Sequence, residues 1–237
     1  MFYKEYLDKL NKWADVVEKE SQKKLPKITF SVANKKMGKI HSISNPPILT
    51  CVSCGCNQNI RGEIECYACY GQTGMDCTQL TYARNYWLYK NRPELYWNLV
   101  KNEVMFQMYF RFNVSGDIVD YEYLEGIVDV ARSCKKSSIL VFTKKYDLVN
   151  KWIRRNGELP PNLQVVFSVW QGLECKNPHN LPTSHLIYYD GTTTAKEDAF
   201  KCPDDCSHCN CVGVGCWALQ KGQQVVFKQH GGKHKHN

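Results

Sequence analysis

The sequence predicts an α/β protein: a partial (β/α) barrel-like parallel sheet with helices outside, carrying cysteine-rich metal-binding loops. Three observations lead there. Apolar strand-like runs alternate with helical patterns through the middle of the chain, the rhythm of a parallel sheet covered by helices. Thirteen cysteines fall mostly into two tight groups, one from Cys51 to Cys77 and one from Cys202 to Cys216. Polar residues recur just past the carboxyl ends of successive strands, the edge where parallel α/β folds bind ligands.

The elements follow in order. Residues 2–24 read as an amphipathic helix, with Tyr6, Leu10, Trp13 and Val17 at helical spacing, and Pro26 ends it. This gives an N-terminal helical unit, 1–27, ahead of an α/β metal-binding domain, 28–228. Residues 28–32 read as a short strand. Two helices fill 78–105, broken near Asn91-Arg92-Pro93, and their aromatic residues sit at the spacing of core packing. Then come a strand at Met108–Ser115, a helix at Tyr121–Cys134 and a strand at Ser138–Thr143. A helix at Tyr146–Arg155 and strands at Leu163–Val169, His185–Tyr189 and Gln223–Lys228 complete the series. The tail, 229–237, is expected to be disordered.

Composition narrows the classes of function. The chain has 237 residues, 43% hydrophobic and 23% charged, enough for a sizeable core. An odd cysteine count and a charged N-terminus without an apolar signal core argue against a secreted disulfide scaffold. No apolar run is long enough to cross a bilayer. The expected setting is therefore a reducing, cytoplasmic interior in which thiols are kept for metal. A net charge of +8, concentrated in Lys23–Lys39 and in the tail, favours anionic partners and makes nucleic acid a candidate.

The first cysteine group, Cys51-x2-Cys54-x-Cys56-x9-Cys66-x2-Cys69-x7-Cys77, admits two readings. Two CxxC knuckles, Cys51/Cys54 and Cys66/Cys69, suit a tetrahedral zinc site. Alternatively Cys51, Cys66 and Cys69 hold a [4Fe–4S] cluster with one iron left open, beside Tyr67 and Tyr70. Spacing leaves both open. Cys134 and Cys175 stand apart and read as buried thiols.

The strand ends supply the polar groups. The Met108–Ser115 strand runs into Ser115-Gly116-Asp117, the next ends at Thr143-Lys144-Lys145, and the one after at Ser168-Val169-Trp170. Glycine allows close backbone approach to a ligand, and Asp117 offers a carboxylate to an amino group. By alternation Arg111, Asn113 and Ser115 share one face of their strand and require polar partners there.

This order resembles the radical S-adenosylmethionine enzymes: a CxxC-containing loop, then strands ending in SGD, TKK and SVW. The resemblance implies that Cys51, Cys66 and Cys69 ligate the cluster. It places Ser115, Gly116 and Asp117 where that family's Gly-Gly-Glu-type motif binds the cofactor's amino group, with Thr143 and Ser168 at later strand ends. The sequence departs from that pattern: fourteen residues separate Cys51 from Cys66, Ala68 precedes Cys69, and aspartate replaces glutamate. A closer resemblance, over about residues 30 to 220, is to phage-encoded proteins of the "gene product 88" type, through TC, ECYACYG, RFNVSGD, FTKK, FSVW and the late cysteines. It implies a bacteriophage or mobile-element origin and a metal-rich α/β fold, without a reaction.

The second group, Cys202-x3-Cys206-x2-Cys209-x-Cys211-x4-Cys216, offers Cys202, Cys206, Cys209 and Cys216 as a four-thiolate set, with Cys211 spare. His208 is an alternative donor. Either an accessory [4Fe–4S] cluster or a structural zinc ion suits it.

Overall fold

The computed structural model describes residues 1–33, 36–51, 62, 64, 66–170, 172–206, 209 and 215–229. In chain order its elements are α1 (Tyr3–Ser21), β1 (His41–Ile43), α2 (Asp76–Asn91), α3 (Pro93–Val104), β2 (Tyr109–Phe112), α4 (Tyr121–Ser133) and β3 (Ser138–Thr143). They continue as α5 (Tyr146–Asn156), β4 (Leu163–Ser168), β5 (Thr183–Ile187), β6 (Phe200–Lys201) and β7 (Gln224–Lys228). The strands form one seven-stranded sheet in the order β1-β2-β3-β4-β5-β7-β6. Every pairing is parallel. The α/β architecture is as expected. Closure toward a barrel is not seen, since among the described residues β1 and β6 are edges that do not pair with each other.

Local chemistry explains the helix ends. Pro93 opens α3 with its fixed φ, where a missing N–H costs nothing. Asp120 caps α4 by accepting from the Tyr123 N–H at 2.9 Å. Gly157, at φ 83°, stops α5.

Strand alternation then separates two cores. Phe110, Phe112, Ile139, Val141, Val165 and Phe167 point toward α3, α4 and α5 and bury against Tyr96, Ile127 and Trp152. The opposite face carries Leu140, Val166 and Val225, covered by Leu219, Trp217, Cys202 and Cys216. A third cluster joins α1 to the first cysteine group, because Tyr6, Leu10, Trp13 and Val17 pack with Ile48, Ile64 and Cys69.

Several expectations require correction. Residues 28–32 do not form a strand; Ser31 makes an isolated antiparallel bridge to Ser42. β2 stops at Phe112 because Asn113 adopts φ 54°, which breaks the alternation. Asn113 therefore leaves the Arg111 face. Its Oδ1 accepts from Asn45 Nδ2 at 3.1 Å, and the same Asn45 amide donates to the Tyr123 hydroxyl of α4 at 2.9 Å. The strand expected at His185–Tyr189 begins earlier, at Thr183, and ends at Ile187. The tail from 230 onward lies outside the described residues.

Candidate functional site: two thiol groups and the strand ends

The first group is built around a 3₁₀ turn, Tyr67–Cys69. The turn is fixed on three sides. Tyr67 donates its hydroxyl to the Val114 carbonyl, two residues past the end of β2, at 2.8 Å. Gln79 of α2 donates to the Ala68 and Thr73 carbonyls at 3.1 and 2.6 Å. Tyr6 of α1 donates to Gln79 Oε1 at 2.8 Å, so the N-terminal helix is locked onto the turn that carries Cys69. Burial, then the neighbouring thiols of Cys69, Cys66 and Cys51, push the Tyr6 phenol upward. Cys66 and Cys69 pack with Tyr6 in one cluster. Cys54 and Cys56 lie outside the described residues, and Cys77 is exposed.

The strand ends form a connected polar knot beside this group. The Asp117 carboxylate accepts from Ile118 N at 2.7 Å, Thr143 Oγ1 at 2.5 Å and Lys144 N at 2.9 Å. Burial raises its pKa, while the Thr143 hydroxyl and the Lys144 N–H pull the other way. An arriving amino group meets a carboxylate already engaged by three donors. Thr50, just before Cys51, was not singled out by the sequence. Its Oγ1 accepts from Asp117 N at 2.9 Å and donates to the Pro46 carbonyl at 2.9 Å, tying the cysteine loop to β2. Its only sequence signal is its place next to Cys51.

Gly116 sits at φ 76°, and a Cβ there would lie 2.7 Å from both the Asn45 carbonyl oxygen and Thr50 Oγ1. The glycine thus serves close approach of the protein's own backbone. Ser115 passes its carbonyl to Asn45 N at 3.1 Å, while its buried hydroxyl finds no partner. Ser168 stands farther along the same edge: its carbonyl accepts from the Tyr146 hydroxyl and its Oγ from Ser184 Oγ at 3.3 Å. The structure therefore joins Ser115, Gly116, Asp117 and Thr143 into one knot, with Ser168 outside it.

The second group lies across the sheet face away from α3, α4 and α5. Cys202 N donates to the Val226 carbonyl of β7 at 3.0 Å, and Cys206 N to the Lys36 carbonyl at 2.8 Å. Lys36 in turn pairs with Asp204 at 2.7 Å. Gly215, at φ 97°, lets Cys209 come close; a Cβ there would lie 2.8 Å from the Cys209 Cβ. The Cys216 thiol is pushed up to about 12. Burial is the largest cause, Arg111 opposes it, and Cys202, Cys206 and Cys209 add to it. Of the four thiols predicted as a set, Cys202 and Cys216 pack in the same cluster on this face. Cys211 and His208 lie outside the described residues.

Among the described residues, no three His, Cys, Asp or Glu side chains stand close enough to hold a metal ion. Cys134 and Cys175 sit apart from both groups, with thiols raised by burial, as expected of core residues.

A family model described as Gene product 88 matches residues 8–175. The match spans α1 through β4 and ends before the second cysteine group, short of the stretch that the sequence resemblance suggested. No curated protein and no solved structure matches the chain significantly.

Proposed function

We propose, for a chain that belongs to the gene product 88 family, that the two cysteine groups are metal–thiolate centres of an iron–sulfur protein. Cys51, Cys66 and Cys69 serve one centre, and Cys202, Cys206, Cys209 and Cys216 the other. The observation that carries this reading is placement: Cys66 and Cys69 pack in the cluster around Tyr6, and Cys202 and Cys216 pack together on the opposite sheet face. The donor set fits. Thiolates are the usual ligands of such clusters and also hold zinc. Clustered thiols without metal stay protonated, and loading releases those protons.

A cluster supplies one-electron chemistry when bound. The chain's own residues hold and shield it. Tyr6, Leu10 and Trp13 of α1 cover Cys69 from water. The 3₁₀ turn fixes the spacing of Cys66 and Cys69. Thr50 ties the residue before Cys51 to the Asp117 knot at the strand ends. A closed four-thiolate zinc centre is the second reading for Cys202, Cys206, Cys209 and Cys216, because the sequence supplies four thiols within fifteen residues there.

The test is purification without oxygen, followed by visible absorbance and metal and sulfide analysis. Iron with acid-labile sulfide and broad visible absorbance is expected. Cys66→Ala and Cys209→Ala should each remove one centre and spare the other. A colourless protein with stoichiometric zinc at both groups sinks the cluster reading, and a folded protein with no tightly held metal sinks the proposal entirely.

A further inference from the structure

Among the described residues, no ion pair includes the cation on the sheet face that carries the second thiol group. Arg111 projects from β2, and none of the ion pairs among the described residues includes it. Its guanidinium lies over the Phe142 ring, 4.8 Å from the centroid, two residues beyond its register partner Leu140. The side chain thus runs along the face toward the carboxyl edge. Nη1 donates to Met37 Sδ at 3.9 Å, a weak acceptor. Nε is buried with no acceptor. That nitrogen belongs to the edge with which a guanidinium takes an oxyanion in two parallel hydrogen bonds.

A second orphan donor lies on the same face. Trp217 packs its ring against Tyr109, two residues before Arg111 on β2, with centroids 5.7 Å apart, and its buried Nε1 also lacks an acceptor. Buried donors left unpaired among the described residues are rare and costly, and two on one face point to a bound acceptor. We infer that Arg111 and Trp217 form a binding site for the oxyanion of a small molecule, a carboxylate or a phosphoryl group, on the sheet face that carries the second thiol group.

The site stands whether or not the thiols hold metal, and the competing role is that Arg111 only offsets the thiolates' charge. Calorimetric titration of the full protein with malonate in one arm and inorganic phosphate in the other decides between them. Metal content and far-UV circular dichroism are measured on every sample. Wild type should bind one of the two anions. Arg111→Gln should weaken that binding by at least about tenfold at unchanged metal content. Arg111→Lys, which keeps the charge and loses the fork, should weaken it by less, and it carries the test if the glutamine variant does not fold. Trp217→Phe keeps the ring and should also weaken binding. Failure of wild type to bind either anion overturns the site, as does unchanged affinity in Arg111→Gln. Loss of metal from Arg111→Gln with unaltered anion affinity assigns the residue to the thiolates instead.

Discussion

At the scale of single residues, the knot at the strand ends sets the sharpest expectations. Asp117→Asn replaces the oxygen facing the Lys144 N–H with a second donor, and the variant should lose about 1–3 kcal/mol in a denaturant melt. The pH dependence has a defined sign. Burial raises the Asp117 pKa, so the folded chain keeps that proton to higher pH than the unfolded chain does. Its contribution is present below the ordinary carboxylate value and is lost as pH rises through the raised one. The asparagine variant lacks this titration, so its deficit should shrink as pH rises from mildly acid toward neutral. A deficit that grows over that range contradicts the assignment. Gly116→Ala meets two obstacles: a left-handed φ of 76° and backbone oxygen at 2.7 Å that cannot swing away. It should cost about 2–4 kcal/mol, read from the denaturant midpoint.

At the scale of elements, α1 is the informative case. The periodicity of Tyr6, Leu10, Trp13 and Val17 gave the helix, but it suggested a unit set apart at 1–27. In the structure those four residues are buried in one cluster with Cys69 and Ala83. Arg84 of α2 forks onto Glu20 at 2.8 and 2.7 Å, and Trp87 Nε1 donates to Glu18 at 2.7 Å. Trp13→Ala should therefore cost about 3–5 kcal/mol rather than the fraction expected of an appended helix. A loss under about 1 kcal/mol in urea unfolding would return α1 to the status of an appendage. The other elements divide the same way. β3 and β4 were legible because long apolar runs bounded by helical patterns have one economical reading. β1 and β6, of three and two residues, are too short to carry any pattern. Asn113 was misassigned to the Arg111 face because alternation presumes an unbroken strand, and nothing local in the sequence announces a φ of 54°. The cysteine spacing marks both groups along the chain, whereas the roles of Thr50 and Gln79 depend on tertiary contacts that spacing does not encode.

At the scale of the whole molecule, the question is whether the family-matched stretch is a folding unit. The match ends at Cys175, yet the sheet continues through β5, β6 and β7. β4 pairs with β5, and β5 with β7, so a chain ending at 175 leaves the ladder of β4 open along one edge. The same cut strips one face of its cover. Leu140 and Val166 are buried there by Leu219 and Val225, and Gln164 Nε2 donates to the Leu219 carbonyl at 2.9 Å. Uncovered apolar residues beside an open strand edge are the pattern of an aggregating sheet. Residues 1–175 expressed alone should therefore elute as soluble aggregate and bind a hydrophobic dye, while the full chain melts in one cooperative step. Cys202 and Cys216 lie in that same cover, so removing the metal proposed for the second thiol group should move the full chain part of the way toward the truncated one. Dye binding that rises on chelation, and falls when metal is restored, would tie that group to the closure of the sheet. A truncated chain that melts as cooperatively as the intact one, with no dye bound, would instead make residues 176–229 an addition to a fold already complete.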